Sequence, residues 1–170
     1  MEPQGMADFD CVVHLAVLSN DPMGELAPEL TLEINYRAAF APRRWQKKAG
    51  VGRFIFASSC CRYGAADTAA PLSEKAPFNP VSAYAVSKVK TELALRELAD
   101  ESFTPVYLRN ATGYGVSPRL RFDLVVNNLM AWAKTSGRIR VTSDGTPWRP
   151  LIHIEDISHA ALCAARGRPQ

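Results

Sequence analysis

The chain has 170 residues, 47% of them hydrophobic and 22% charged, with a formal net charge of +3. That length suits one domain, or one and part of another, with enough apolar material for a sizeable core. The charge is too small to argue for nucleic acid or a membrane surface, and no apolar run approaches a membrane span.

The opening "MEPQGMADFD" lacks the basic start and long apolar stretch of a signal peptide, so a cytoplasmic location is expected. The four cysteines, Cys11, Cys60, Cys61 and Cys163, show no metal-like CxxC spacing. In a reducing compartment they are expected to be free thiols, and no metal site is expected.

In chain order, "CVVHLA" (11–16), "RFIFASS" (53–59) and "PVYLRNA" (105–111) read as strands apolar on both alternating sets of positions, the mark of strands covered on both faces. "RIRVTS" (138–143) alternates polar and apolar and is a weaker fourth candidate. Helical stretches are expected over 29–48, where Pro42 would break or kink the helix, and over 82–100, 123–135 and 155–165. In the second of these, Ala85, Val89 and Leu93 share a face, with Val86 and Leu98 near it. Loops rich in turn formers fill 65–80 and 143–150. This alternation predicts βαβ units and a parallel sheet. Such sheets bind ligands outside the carboxyl ends of their strands, so chemistry is expected just after Ala16, Ser59 and Ala111.

Two motifs sit at those places. Ser58 and Ser59 close the second strand; strand-end serines commonly satisfy local backbone groups. Tyr84 and Lys88 lie four apart on a helix and share a face. A phenol titrates near about 10 and is a poor base at neutral pH, and a fixed ammonium beside it favours the phenolate. The pair therefore suits proton transfer, although the same spacing also occurs on exposed faces with a snorkelling lysine.

Taken together, "VVHLAVLSNDP", "EINYRA", "GVGRFIFASSCCRYG", "NPVSAYAVSKVKTE", "LRNATGYGVSPRLRFD" and "SDGTPWRPLIHIEDISHA" resemble, in order and over nearly the whole chain, the extended short-chain dehydrogenase/reductases. The resemblance is specifically to the NAD-dependent epimerase/dehydratase family acting on nucleotide sugars. It implies an α/β fold: a partial Rossmann-like, doubly wound parallel sheet with its later strands only, plus the start of a small substrate domain. The implied division is 1–116 for the Rossmann-like part, 117–150 for the start of the substrate region, and 151–170 for a strand and helix returning to the first part.

The resemblance also implies roles. Tyr84 would be the general base, Lys88 would hold the nicotinamide ribose and favour the Tyr84 phenolate, and Ser59 would hydrogen-bond the reacting oxygen. Leu15, Ala16, Ser58, Tyr84 and Lys88 would lie along NAD, with Ser58 in a mainly structural part. NADP stays open beside NAD, because the discriminating segment is not in the matching stretch. Thr112, Asn128, Leu129 and Arg149 would face the nucleotide sugar, Arg149 as a fork of donors for its diphosphate. Thr112 stands where many sugar epimerases have an asparagine. Arg149 has an alternative as a surface ion pair with Asp144 or Asp156. His14 is read as a satisfied core histidine, and Asn35 matches an asparagine packed near the active-site strands.

The sequence departs from the pattern in several places. It has no GxGxxG or GxxGxxG run for a dinucleotide pyrophosphate and no acidic strand end for the adenosine ribose. The resemblance thus reads as a middle slice of a truncated member, leaving "CVVHLA" as a sheet edge open to pairing with another chain. Family members are commonly homodimers through the helices around the Tyr-Lys motif. Arg62 replaces a small apolar residue, and Arg43, Arg44, Lys47 and Lys48 stand where an apolar face is expected; a solvated helix face is the preferred reading, with degraded coding sequence over 37–48 as an alternative. Two expectations result: an NAD-dependent nucleotide-sugar epimerase or dehydratase, or a non-catalytic remnant or interaction module without an intact cofactor site.

Overall fold

Strands β1 (Cys11–His14), β2 (Arg53–Ser59) and β3 (Thr104–Asn110) form a parallel sheet in the order β1-β2-β3. They are seen in a computed structural model that describes residues 8–19, 21–38, 49–64, 71–146 and 148–167. Phe54, Ile55 and Phe56 of the central strand are all buried. Adjacent residues of a strand point to opposite faces, so this strand is covered on both sides, as its unbroken apolar run predicts. Phe54, Phe56, Leu95 and Phe103 make the core cluster, with Val12, Leu98 and Tyr107 packed against it.

After β1 the chain forms two short helices, α1 (Asp21–Leu26) and α2 (Pro28–Leu32), and α2 runs on into a wider π-type turn, Glu33–Arg37. The helix expected over 29–48 is therefore seen only in its first part. Pro42 and the basic cluster of Arg43, Arg44, Lys47 and Lys48 lie outside the described residues.

Helix α3 (Ala83–Leu98) crosses from β2 to β3. Ser82 caps it: its Oγ accepts from the Ala85 N–H at 3.2 Å, which satisfies one of the orphan donors of the first turn. The buried face differs in part from the expected one. Ala85 and Val89 are buried as expected, but Leu93 is exposed and Leu95 is fully buried. The stripe runs Ala85, Lys88, Glu92, Leu95, at spacings of three and four. Its two middle members are charged and buried, so an apolar pattern cannot trace it.

A second, two-stranded parallel sheet pairs β4 (Thr112–Tyr114) with β5 (Leu151–His153). The fourth strand expected at 138–143 is not one: that stretch is irregular and exposed, with Ile139 and Val141 facing solvent. Alternation describes a strand's faces, but a strand also needs a partner's ladder, and none pairs with this stretch among the described residues. Helix α4 (Val125–Ser136) ends at Gly137, whose φ of +68° supplies the left-handed cap. Helix α5 (Ile154–Arg166) packs against the three-stranded sheet. Arg53 of β2 donates to the Ala164 and Ala165 carbonyls at 3.0 and 3.2 Å, placing a cation on the negative end of α5. Among the described residues no helix is long and apolar enough to cross a membrane.

The revised face of α3 is testable by urea unfolding. Leu95→Ala is expected to cost about 2–5 kcal/mol, and Leu93→Ala to stay within about 0.5 kcal/mol of the parent.

Candidate active site

The carboxyl ends of the three parallel strands form one edge. His14 is level with Phe56, and Ser59 with Asn110. Helix α3 starts from this edge, because a crossover helix runs back against its strands. Tyr84, in its first turn, is half-buried there, and Lys88 follows one turn later, 3% exposed. The Lys88 Nζ donates to the Ala57 carbonyl at 2.5 Å. It lies 4.7 Å from the Phe56 ring centre and 5.4 Å from that of Tyr84, within the range where a cation is drawn to an aromatic face. The snorkelling alternative is thus set aside: this lysine reaches inward.

Ser59 ends β2 and caps the following 3₁₀ turn, Cys60–Tyr63, its Oγ accepting from the Cys61 N–H at 3.2 Å. The turn closes at Gly64, whose φ is +68°; a Cβ there would stand 2.2 Å from the Asn79 carbonyl oxygen. Only glycine fits that approach. Ser58 is 4% exposed, and its Oγ donates to Glu92 Oε1 at 2.5 Å. Its hydroxyl is turned into the protein, in keeping with a mainly structural part for that side chain. Hydrogen bonding to Cys61, followed by burial, pushes the Cys60 thiol up, while Arg149 acts on it in the opposite sense.

Leu15 and Ala16 are both exposed just past β1, Leu15 at 65%. The loop they begin is pinned by Asn35. This buried amide accepts from the Leu18 N–H at 2.8 Å, donates to the Leu18 carbonyl at 3.0 Å, and donates to Ser87 Oγ at 3.3 Å. Ser87 in turn donates to the Tyr84 carbonyl at 2.7 Å, so the loop after β1 is tied to the turn that carries Tyr84. His14 stacks near Phe54 and Phe56, with ring centres 5.8 and 5.9 Å away, as a core histidine does.

The residues expected to face the nucleotide sugar are spread more widely. Thr112 sits in β4, its N–H donating to the Pro150 carbonyl at 3.0 Å. Asn128 uses its amide on the Phe122 carbonyl at 2.9 Å, and Leu129 is half-buried on α4. Arg149 is exposed and lines a ≈ 510 Å³ groove with Gly145, Thr146 and Trp148. Asp144, one of its two candidate ion-pair partners, accepts from the Thr146 N–H and Oγ1 at 3.0 and 2.8 Å. Arg121 donates to the Ser19 carbonyl and hydroxyl at 3.2 and 3.0 Å, joining the segment before α4 to the loop after β1.

A model of the NAD-dependent epimerase/dehydratase family matches residues 4–169. The chain belongs to that family. It is 29% identical to a UDP-glucose 4-epimerase of Streptomyces lividans, covering 98% of this chain and 54% of the relative. Among solved structures it is similar to TunA, an NAD-dependent NDP-hexosamine 5,6-dehydratase, with a TM-score of 0.86, 28% identity, and coverage of 98% of this chain and 55% of that one. It is also similar to MoeE5 in complex with UDP-glucose and NAD, with a TM-score of 0.82, 29% identity, and coverage of 100% and 58%. The chain spans about half the length of these relatives. The α/β fold with parallel strands expected from the sequence is the one observed.

Within this family member, sequence reasoning missed four side chains that organise the site: Ser87, Glu92, Arg109 and Arg121. Glu92 carried a usable signal, since it lies one turn after Lys88 on the same helix face; Ser87 did not. Arg109 and Arg121 act across long sequence separations, which single-sequence patterns do not report.

The Asn35 clamp gives a prediction. Asn35→Ala is expected to cost roughly 1–3 kcal/mol by leaving buried groups unmatched and to speed amide hydrogen exchange at Leu18. Unchanged Leu18 protection would contradict the clamp.

Proposed function

We propose that this chain carries the proton-transfer machinery of an NAD-dependent nucleotide-sugar epimerase or dehydratase. The observation that carries this reading is the Lys88 ammonium, fixed by the Ala57 carbonyl one helical turn from the half-buried Tyr84 at the ligand edge of the sheet. A fixed positive charge favours the phenolate form of Tyr84, which then accepts the proton of a sugar hydroxyl. Ser59 accepts from Cys61 and still has a proton to donate; it orients and polarises the same sugar oxygen. Returning that proton from Tyr84 in a later step restores the phenolate.

The residues present fit one end of the cofactor. The exposed apolar strip of Leu15 and Ala16, with no bulky side chain at 16, suits the flat nicotinamide, and Lys88 and Tyr84 suit its ribose. The sequence has no glycine-rich phosphate turn, so these residues do not by themselves form a pyrophosphate site. NAD, or NADP in its place, supplies an acceptor and donor of hydride when bound. Arg149 contributes a guanidinium for the sugar-nucleotide diphosphate, with Thr112, Asn128 and Leu129 on the same substrate side.

A second reading is a non-catalytic remnant or interaction module of this fold. Titrating the purified chain with NAD while following its stability separates the two. Occupancy at one hundred times the dissociation constant adds about 2.7 kcal/mol; no shift at any attainable NAD concentration favours the second reading. Where turnover of UDP-glucose is measurable, Tyr84→Phe is expected to abolish it with ligand binding retained, and retained turnover would remove Tyr84 from its role.

A further inference from the structure

Glu92 lies one turn beyond Lys88 on α3, is 4% exposed, and takes no part in the chemistry proposed above. A buried carboxylate costs several kcal/mol in lost hydration unless donors replace the water. Here donors arrive from three separate elements. Ser58 of β2 donates to Oε1 at 2.5 Å. Arg109 of β3 donates to Oε1 at 3.4 Å and to Oε2 at 3.1 Å. Arg62 of the 3₁₀ turn, fully buried, forms an ion pair with Oε2, although none of its nitrogens has hydrogen-bond geometry to a described residue.

Both guanidiniums are themselves held. The Arg62 guanidinium stacks 3.5 Å from the centre of the Phe78 ring. Arg109 Nη1 donates to the Tyr63 hydroxyl at 2.8 Å and to the Glu74 carbonyl at 2.7 Å. A carboxylate has two acceptor oxygens, enough for all of these donors; an amide would have one.

The placement matters for the site. Lys88 grips β2 at Ala57, and Glu92 grips it at the next residue, Ser58. The Asn35 contacts and Leu95 in the core hold α3 elsewhere; these two contacts, a turn apart, tie it to the end of β2. The residue after Ser58 is Ser59, and the turn before Lys88 carries Tyr84.

We propose that Glu92 is a positioning residue: its carboxylate, clamped between Arg62 and Arg109, locks α3 to the end of β2 and so sets Tyr84 and Lys88 in register with Ser59. This rests on the Tyr84–Lys88 reading above, and Arg62 makes the clamp two-sided.

The test is the titration of the Tyr84 phenol, followed as ultraviolet tyrosinate absorbance and taken as the difference between each protein and its Tyr84→Phe counterpart. Tyr107, pushed up to about 12 by burial and next by the Glu92 charge, cancels in that difference where the second substitution leaves it unchanged. Four proteins are compared: the parent chain, Lys88→Met, Ser58→Ala, and the double variant Glu92→Gln with Arg62→Val. The double variant leaves the cluster with the same net charge, so a bare charge effect is removed. Loss of register is expected to raise the Tyr84 midpoint, giving about tenfold less phenolate at a fixed pH in the double variant, with a smaller change in the same direction for Ser58→Ala and the largest change for Lys88→Met.

If Lys88→Met raises the midpoint while Ser58→Ala and the double variant match the parent, the positioning role is wrong and the Tyr84–Lys88 reading stands. If Lys88→Met itself leaves the midpoint unmoved, both fall. Should the double variant fail to fold, Ser58→Ala, which removes one hydroxyl, decides alone.

Discussion

A lysine only 3% exposed must find an acceptor, and Lys88 finds it in the Ala57 carbonyl near the end of the central strand. Much of the arrangement follows from that constraint. The bond draws α3 down onto β2. It brings Tyr84, one turn earlier, to the ligand edge of the sheet, and it leaves the rest of the helix's inner face to be satisfied in the same way. Ser87 and Thr91 meet Asn35, and Glu92 meets Ser58, Arg62 and Arg109. The helix is held to the sheet by polar bonds near its start and by Leu95 packed in the phenylalanine core further on.

This division explains what the sequence disclosed. The three parallel strands were legible from their apolar runs, although only β2 is buried on both faces and Val13 of β1 is exposed; α3 through α5 were legible to within about two residues at most ends, in keeping with ordinary uncertainty in helix boundaries. The inner face of α3 was not. Its centre is Lys88 and Glu92, which a hydrophobic pattern assigns to solvent, and so Leu93 was favoured over Leu95. The short pair β4 and β5 has three residues per strand, too few for any period to register. The alternation at 138–143 was misleading because it reports a strand's faces without its partner.

The positions of Ser59, Tyr84 and Lys88, though not their roles, were readable from motif order, since a strand end followed by the opening turn of a helix sets them near one edge of the sheet. The residues proposed for the substrate side were less so. Thr112, Asn128, Leu129 and Arg149 come from three segments joined by loops, and Asn128 spends its amide on a loop carbonyl. The inward turn of Ser58 and the part played by Arg62 depend on a partner thirty or more positions along the chain. The chain spans about half the length of the relatives it matches, and the proton-transfer role of its sheet edge belongs to the proposal.

The measurement that bears most directly on the central contact is nuclear magnetic resonance of the Lys88 side-chain nitrogen in the intact chain. The account predicts a slowly exchanging ammonium with a scalar coupling across the hydrogen bond to the Ala57 carbonyl carbon. A rapidly exchanging, freely rotating ammonium with no such coupling would contradict it.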